Sequence, residues 1–245
     1  MSSTIILYDI PGNAVKTQAW SPNTWKARFA LNMKGLPYKT IGAEHTGVLD
    51  GKPHYTLPVI HDTTTGAVIS ESYKIAQYLD KTYPSAPRII PAGTDALQRM
   101  FTEVLSSKVG KLVFLICGYP SMVQLPPRSL EYFSRTREAI FGKPVKELLA
   151  DSERGKVWKT VIDSFGEVGK WMDANGKGKV FVMGDVPSFA DGAIASQIVW
   201  MKTVLGMESV EWKDLMMADE GRWAKFAEEM NKWEFVDEEG LKSVV

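Results

Sequence analysis

Two short stretches carry residue types that could hold a ligand. Thr56-Leu57-Pro58-Val59-Ile60 is apolar and contains a proline, and Ser70-Glu71-Ser72-Tyr73 follows a short hairpin later. A strand proline cannot donate a ladder hydrogen bond, so it belongs at a strand start, an edge or a bulge. With a cis peptide bond, the N–H and C=O of Leu57 would turn toward a ligand instead of a neighbouring strand; the sequence leaves cis or trans open at Pro58. Glu71 and Ser72 put a carboxylate and a hydroxyl at the start of an amphipathic helix. Free N–H groups and the positive dipole end there favour a bound carboxylate. Together the stretches describe a pocket that pairs with a peptide backbone and grips an acidic group beside it. Read singly, each is also ordinary: Glu71-Ser72 as first-turn chemistry and Pro58 as an edge-strand proline.

The elements that must position these residues follow from local pattern. Thr4 to Tyr8 and Tyr38 to Ile41 read as strands, and the loop between carries Pro11-Gly12-Asn13. Ser21-Pro22 marks a helix start, serine as N-cap and proline at the first helical position. Trp25, Phe29, Ala30 and Met33 continue at helical spacing to Gly35. A polar loop from Glu44 to Tyr55 leads into the proline-bearing strand. A turn at His61 to Gly66 returns through Ala67 to Ile69, and a helix runs from Glu71 to about Lys81. The order β-α-β, β-β-α is that of a thioredoxin-like domain, without any Cys-x-x-Cys pair.

A proline-rich stretch from Tyr83 to Gly93 reads as a linker. Helical patterns dominate after it, at about 94–116, 128–141, 153–174, 188–204 and 219–232, with breaks at Gly118-Tyr119-Pro120, Pro126-Pro127, Gly142-Lys143-Pro144 and Asn175 to Gly178. The expected architecture is an α+β thioredoxin-like domain over 1–83, a linker at 84–93 and an all-α helical bundle over 94–245. Ser188-Phe189-Ala190-Asp191 has capping-box spacing, with aspartate in place of glutamate.

Composition narrows the function classes. Basic and acidic residues balance at 29 each, with no basic tail, which argues against a nucleic-acid surface. The longest apolar run, Leu112 to Cys117, is far too short to span a bilayer. The N-terminus has no basic n-region, so a cytoplasmic location is the default reading. Cys117, the sole cysteine, rules out an internal disulfide and reads as a core residue. His45, His54 and His61 lack metal-ligand spacing, so no metal is expected. Among the aromatic and methionine side chains, Trp25, Phe114, Tyr119 and Met122 are candidates for an apolar substrate site at the domain junction.

The ordered set of Thr56 to Ile60, Glu71-Ser72, the linker and Ser188-x-x-Asp191 resembles the soluble glutathione S-transferases over essentially the whole chain. Trp20-Ser21-Pro22-Asn23-Thr24-Trp25-Lys26 looks like the serine-type classes, and most resembles the etherase-related class of wood-decay fungi. The resemblance implies glutathione as co-substrate, no permanently bound cofactor and a homodimer. It implies that the backbone of Leu57, beside Pro58, pairs with the cysteinyl part of glutathione. Glu71 and Ser72 would bind the γ-glutamyl end and Ser21 would be the catalytic hydroxyl. The glycyl carboxylate needs a cation or donor; Lys39, Lys52 and His54 are candidates, with His54 favoured. The implied reaction is attack of a glutathione thiolate on an apolar aromatic electrophile, or glutathione-dependent aryl-ether cleavage. The alternative is a non-catalytic carrier of apolar aromatic compounds on the same scaffold.

Overall fold

The computed structural model describes residues 5–10, 19–42, 48, 49, 52, 53 and 56–237. Its first part is a four-stranded sheet with order β2-β1-β5-β6, made of β1 (Ile5–Asp9), β2 (Tyr38–Gly42), β5 (Val59–Asp62) and β6 (Ala67–Ser70). β1 and β2 run parallel through helix α1 (Pro22–Lys34), whereas β5 and β6 form an antiparallel hairpin against β1. Helix α2 (Ser72–Thr82) closes the unit. This is the expected thioredoxin-like arrangement. Two-residue strands β3 (Val48–Leu49) and β4 (Lys52–Pro53) pair within the stretch expected to be loop.

Sequence dictates these elements in simple ways. Ile5 and Leu7 alternate into the core from β1, and Ala27, Phe29, Leu31 and Ile75 pack against them. α1 ends where Gly35 takes φ 64°, a left-handed conformation that lets its N–H return to Asn32 O at 3.0 Å. The Leu57-Pro58 peptide bond is cis.

The second part is all helical: α3 (Asp95–Leu105), α4 (Lys111–Met122), α5 (Pro127–Phe141), α6 (Asp151–Met172), α7 (Phe189–Leu205) and α8 (Val210–Met230). Three expectations need correction. The pattern at 94–116 is not one regular helix, because a π turn at Ser106–Gly110 separates α3 from α4. Gly118-Tyr119-Pro120 does not break the chain: α4 runs on to Met122. Proline removes one helical N–H, but here it falls in the last turn. The Ser121 hydroxyl donates to Cys117 O at 2.7 Å and accepts from Trp200 Nε1 at 2.8 Å, which secures that turn. Finally, α8 begins at Val210, well before the expected helix. Ser209 caps it by accepting from Trp212 N at 3.2 Å, and Trp212 and Leu215 are buried. Non-helical backbone at Ala218–Gly221 then kinks it, near the start the pattern had indicated. None of the helices among the described residues is long and apolar enough to cross a membrane.

The two parts meet chiefly where α1 lies on α7. α7 is buried from Phe189 to Met201. Its start is held by Asp191, whose carboxylate accepts from Ser188 N (2.8 Å), Ser188 Oγ (2.9 Å) and Val182 N (2.7 Å). Burial pushes that carboxyl up to about 6, against the pull of those hydrogen bonds. The proline-rich stretch at 84–93 is tied down. Lys34 Nζ meets Asp80 at 2.8 Å, Asp80 accepts from the N–H groups of Ile89 and Ile90, and Ile89 O accepts from Phe189 N at 2.8 Å.

A buried ionic knot anchors the other face of α1. Arg28 Nη2 pairs with Asp9 at 2.7 Å and Nη1 with Asp237 at 3.3 Å, while Nη1 also donates to Thr40 Oγ1 at 2.9 Å. Burial alone would lower the guanidinium pKa; the Asp9 carboxylate outweighs it and holds the group above its ordinary value. Asp237 also accepts from Thr40 N at 2.7 Å, and Asn32 Nδ2 donates to the carbonyls of Trp233 and Phe235.

Two stability outcomes follow. Asp9→Ala leaves Asp237 as the one carboxylate paired with Arg28 among the described residues and costs about 3 kcal/mol, the low end for opening a buried pair. A urea midpoint equal to that of the unaltered protein would show that the knot carries no stability. At Gly192 an added Cβ would sit 3.2 Å from Phe29 Cβ, which cannot swing away. Gly192→Ala therefore costs about 1–3 kcal/mol by overpacking α7 on α1, readable in the same denaturation; a stabilised variant would refute the contact.

Candidate functional site

A cavity of about 520 Å³ opens beside the start of α1. Trp20, Ser21, Pro22, Asn23 and Lys26 form one wall. Thr102, Leu105 and the π-turn residues Ser106 and Gly110 form the next, and Lys111, Phe114 and Leu115 of α4 continue it. Phe133, Arg137, Ile140 and Phe141 of α5 and Ala193, Gln197 and Trp200 of α7 line it from the remaining sides. Phe114 is the aromatic centre: its ring lies 5.2 Å from Phe141, 6.4 Å from Phe133 and 6.3 Å from Trp200. Gly118 makes room for that ring, since a Cβ there would approach it to 3.1 Å.

Ser21 occupies the N-cap position of α1 with extended backbone, φ −66° and ψ 118°. Its side chain makes no cap hydrogen bond, although the residue is buried. The simple capping role read from Ser-Pro is therefore not what the hydroxyl does here. Ser21 is a lining residue of the cavity at the positive end of α1, where a negative atom is favoured.

Leu57, Pro58, Glu71 and Ser72 are neighbours where β5 begins and α2 starts, and none of them lines the cavity. Glu71 N donates to Pro58 O at 3.3 Å, and Val59 pairs with Ser70 across the hairpin. Glu71 has φ 77°, rare for a residue with a Cβ, and Ser72 is buried. The Glu71 carboxylate caps α2, accepting from Tyr73 N at 2.8 Å and Lys74 N at 3.3 Å. It also meets Arg99 of α3 at 3.0 Å, and Arg99 reaches Glu103 at 2.9 Å and lies over the Tyr73 ring. Sequence reasoning missed Arg99, which comes from the other half of the chain.

Lys26 connects this cluster to the cavity. Burial draws its ammonium below the ordinary lysine range, with Glu71 and Glu103 opposing the shift and Arg99 adding to it. Two lining residues carry a buried polar atom with no hydrogen-bond partner among the described residues: Trp20 Nε1, a donor, and Gln197 Oε1, an acceptor.

Of the four candidates for the apolar site, Phe114 lines the cavity and Trp25, Tyr119 and Met122 do not. Trp25 is buried and donates to Ala19 O at 2.6 Å; Tyr119 is exposed; Met122 Sδ accepts from Ser134 Oγ. Lys39 is exposed on β2, Lys52 lies in β4, and His54 falls outside the described residues. Cys117 is fully buried, which pushes its thiol up beyond ordinary reactivity. Among the described residues no group of three or more His, Cys, Asp or Glu side chains could hold a metal ion.

Comparison with known proteins gives a consistent result. The model of the glutathione S-transferase N-terminal domain matches residues 20–82, and that of the C-terminal domain matches residues 96–233. A glutathione S-transferase-like protein of Aspergillus flavus, ustS, is 30% identical over 89% of this chain and 85% of its own length. The crystal structure of CsGST63524, a glutathione S-transferase of Ceriporiopsis subvermispora in complex with glutathione, superposes with a TM-score of 0.87. It is 43% identical, over 96% of this chain and 99% of that one. Glutathione transferase GSTFuA3 of Phanerochaete chrysosporium gives 0.86 at 40% identity, over 96% and 98%.

Proposed function

This chain belongs to the glutathione S-transferase family, and on that premise we propose that it is a serine-type glutathione transferase acting on apolar aromatic electrophiles. The observation that carries the reading is Ser21, whose hydroxyl makes no cap hydrogen bond and which lines an aromatic cavity at the start of α1. Leu57, beside Pro58, offers its backbone to the cysteinyl part of glutathione. Ser72 and the first N–H groups of α2 receive the γ-glutamyl carboxylate, and Glu71 takes the ammonium with its remaining lone pairs. The glycyl carboxylate falls to Lys39, Lys52 or His54. The sulfur then lies between this cluster and the cavity, within reach of Ser21.

A serine hydroxyl is too weak an acid to serve as a base, so its role is donation. A thiol titrates near about 8.5, and lowering that by roughly 2 units needs about 2.7 kcal/mol. A hydrogen bond to a charged acceptor supplies about 1.5–3 kcal/mol, and the helix end up to about 1. The two together suffice. The thiolate attacks the electrophilic carbon of an aromatic compound held by Phe114, Phe133 and Trp200, and either expels a leaving group or cleaves an aryl ether. The division at 1–83, 84–93 and 94–245, a homodimeric assembly and a cytoplasmic setting belong to the same proposal.

A second reading is a carrier of aromatic compounds, favoured by a cavity whose 520 Å³ suits a drug-sized ligand. Ser21→Ala separates the two. Conjugation should fall about tenfold or more while glutathione affinity stays nearly intact, because the lost bond acts on the thiolate. Unchanged rates with several electrophiles would remove Ser21 from catalysis, and aromatic binding without turnover of any of them favours the carrier. Ser72→Ala should weaken glutathione binding in calorimetry about tenfold, as loss of one charge-assisted bond implies; unaltered affinity would take Ser72 out of the site.

A further inference from the structure

Among the described residues the cavity wall carries three basic side chains, Lys26, Lys111 and Arg137, and no acidic one. Over the whole chain acids and bases balance at 29 each, so the bias is local. None of the three makes an ion pair among the described residues. Lys26 is the least available, because Glu71 and Glu103 act on it. Lys111 is exposed where α4 begins. Arg137 is half-buried on α5, and among the described residues its one hydrogen bond is a 3.3 Å donation to the neighbouring Thr136 hydroxyl.

We propose that the cavity selects aromatic ligands bearing a negative charge, and that Arg137, assisted by Lys111, receives the anionic group. The guanidinium lies over the Phe133 ring, 4.7 Å from its centroid, and Phe133 stacks toward Phe114. The group that would meet the anion is thus built onto the platform that would meet the ring. A guanidinium takes a carboxylate through two parallel N–H···O bonds, a geometry no lysine reproduces. Arg137 is partly desolvated with no ion-pair partner among the described residues, and burial draws its pKa down while Tyr132 opposes the shift. An arriving anion removes that penalty, whereas a neutral ring leaves it in place.

The inference deepens the reading of the cavity as the second-substrate site, and its test does not depend on turnover. Glutathione-saturated protein is titrated calorimetrically with biphenyl-4-carboxylate and with biphenyl-4-carboxamide, which match in shape and differ in charge. The acid should bind at least about tenfold more tightly at low ionic strength. In the Arg137→Gln, Lys111→Gln double variant the acid-to-amide ratio should fall to within about threefold. Arg137→Lys, which keeps the charge and loses the fork, should retain an intermediate ratio. Equal affinities in the unaltered protein, a ratio that survives the double variant, or binding of neither compound overturns the inference. If the acid is preferred through Arg137 and no electrophile is ever conjugated, the catalytic reading falls and this one stands. Ser21-dependent conjugation with a ratio near one has the opposite meaning.

Discussion

The Arg28 guanidinium is the interaction on which the rest of the molecule depends. It is fully buried and reaches Asp9 on β1, Thr40 on β2 and Asp237 beyond the last helical turn, all from the middle of α1. Trp25 and Tyr38 place their rings beside it, with centroids 5.5 and 5.7 Å from Cζ. Hydrophobic burial brings α1 to the sheet but does not fix its rotation or depth, because apolar contact is non-directional. A guanidinium with several acceptors in a dry site does fix them. Since Ser21, Pro22, Asn23 and Lys26 are carried on the same helix, their position on the cavity wall is set from here.

The opposite face of α1 is determined by closeness rather than charge. Gly192 lets α7 approach Phe29, and the Asp191 carboxylate holds the start of α7 against Ser188 and Val182. α7 in turn supplies Ala193, Gln197 and Trp200 to the cavity. The sheet and the helical bundle therefore meet at the helix that bears Ser21 on one side and at the helix that floors the ligand space on the other. The π turn at Ser106–Gly110 lends Ser106 and Gly110 to the same wall.

Local chemistry made much of this legible in the sequence. Pro22 and Gly35 bound α1, Glu71 opens α2, and Ser188 with Asp191 opens α7, because each signal is read within a few residues. Features decided by distant partners were not legible. Pro120 ought to end a helix, but its turn is held by Trp200 from α7. The helix from Val210 to the kink has a short apolar pattern that makes sense only once Trp212 and Leu215 have a core to enter. The cavity wall was the least accessible: Phe114 belongs to it, while Trp25, Tyr119 and Met122, as plausible by spacing, do not line it. Lys26, Lys111 and Arg137 stand on three helices, and only packing brings them to one space.

The Asp237 carboxylate has a consequence for the sheet itself. β2 is an outer strand of the order β2-β1-β5-β6, and an outer strand offers unsatisfied backbone groups to any other extended chain. The Thr40 N–H is already taken by Asp237, and the same carboxylate is held by Arg28 beneath it. A single side chain thus stands where a foreign strand would have to begin pairing. The residue that completes the charge balance of the core also works as a guard against edge-to-edge association.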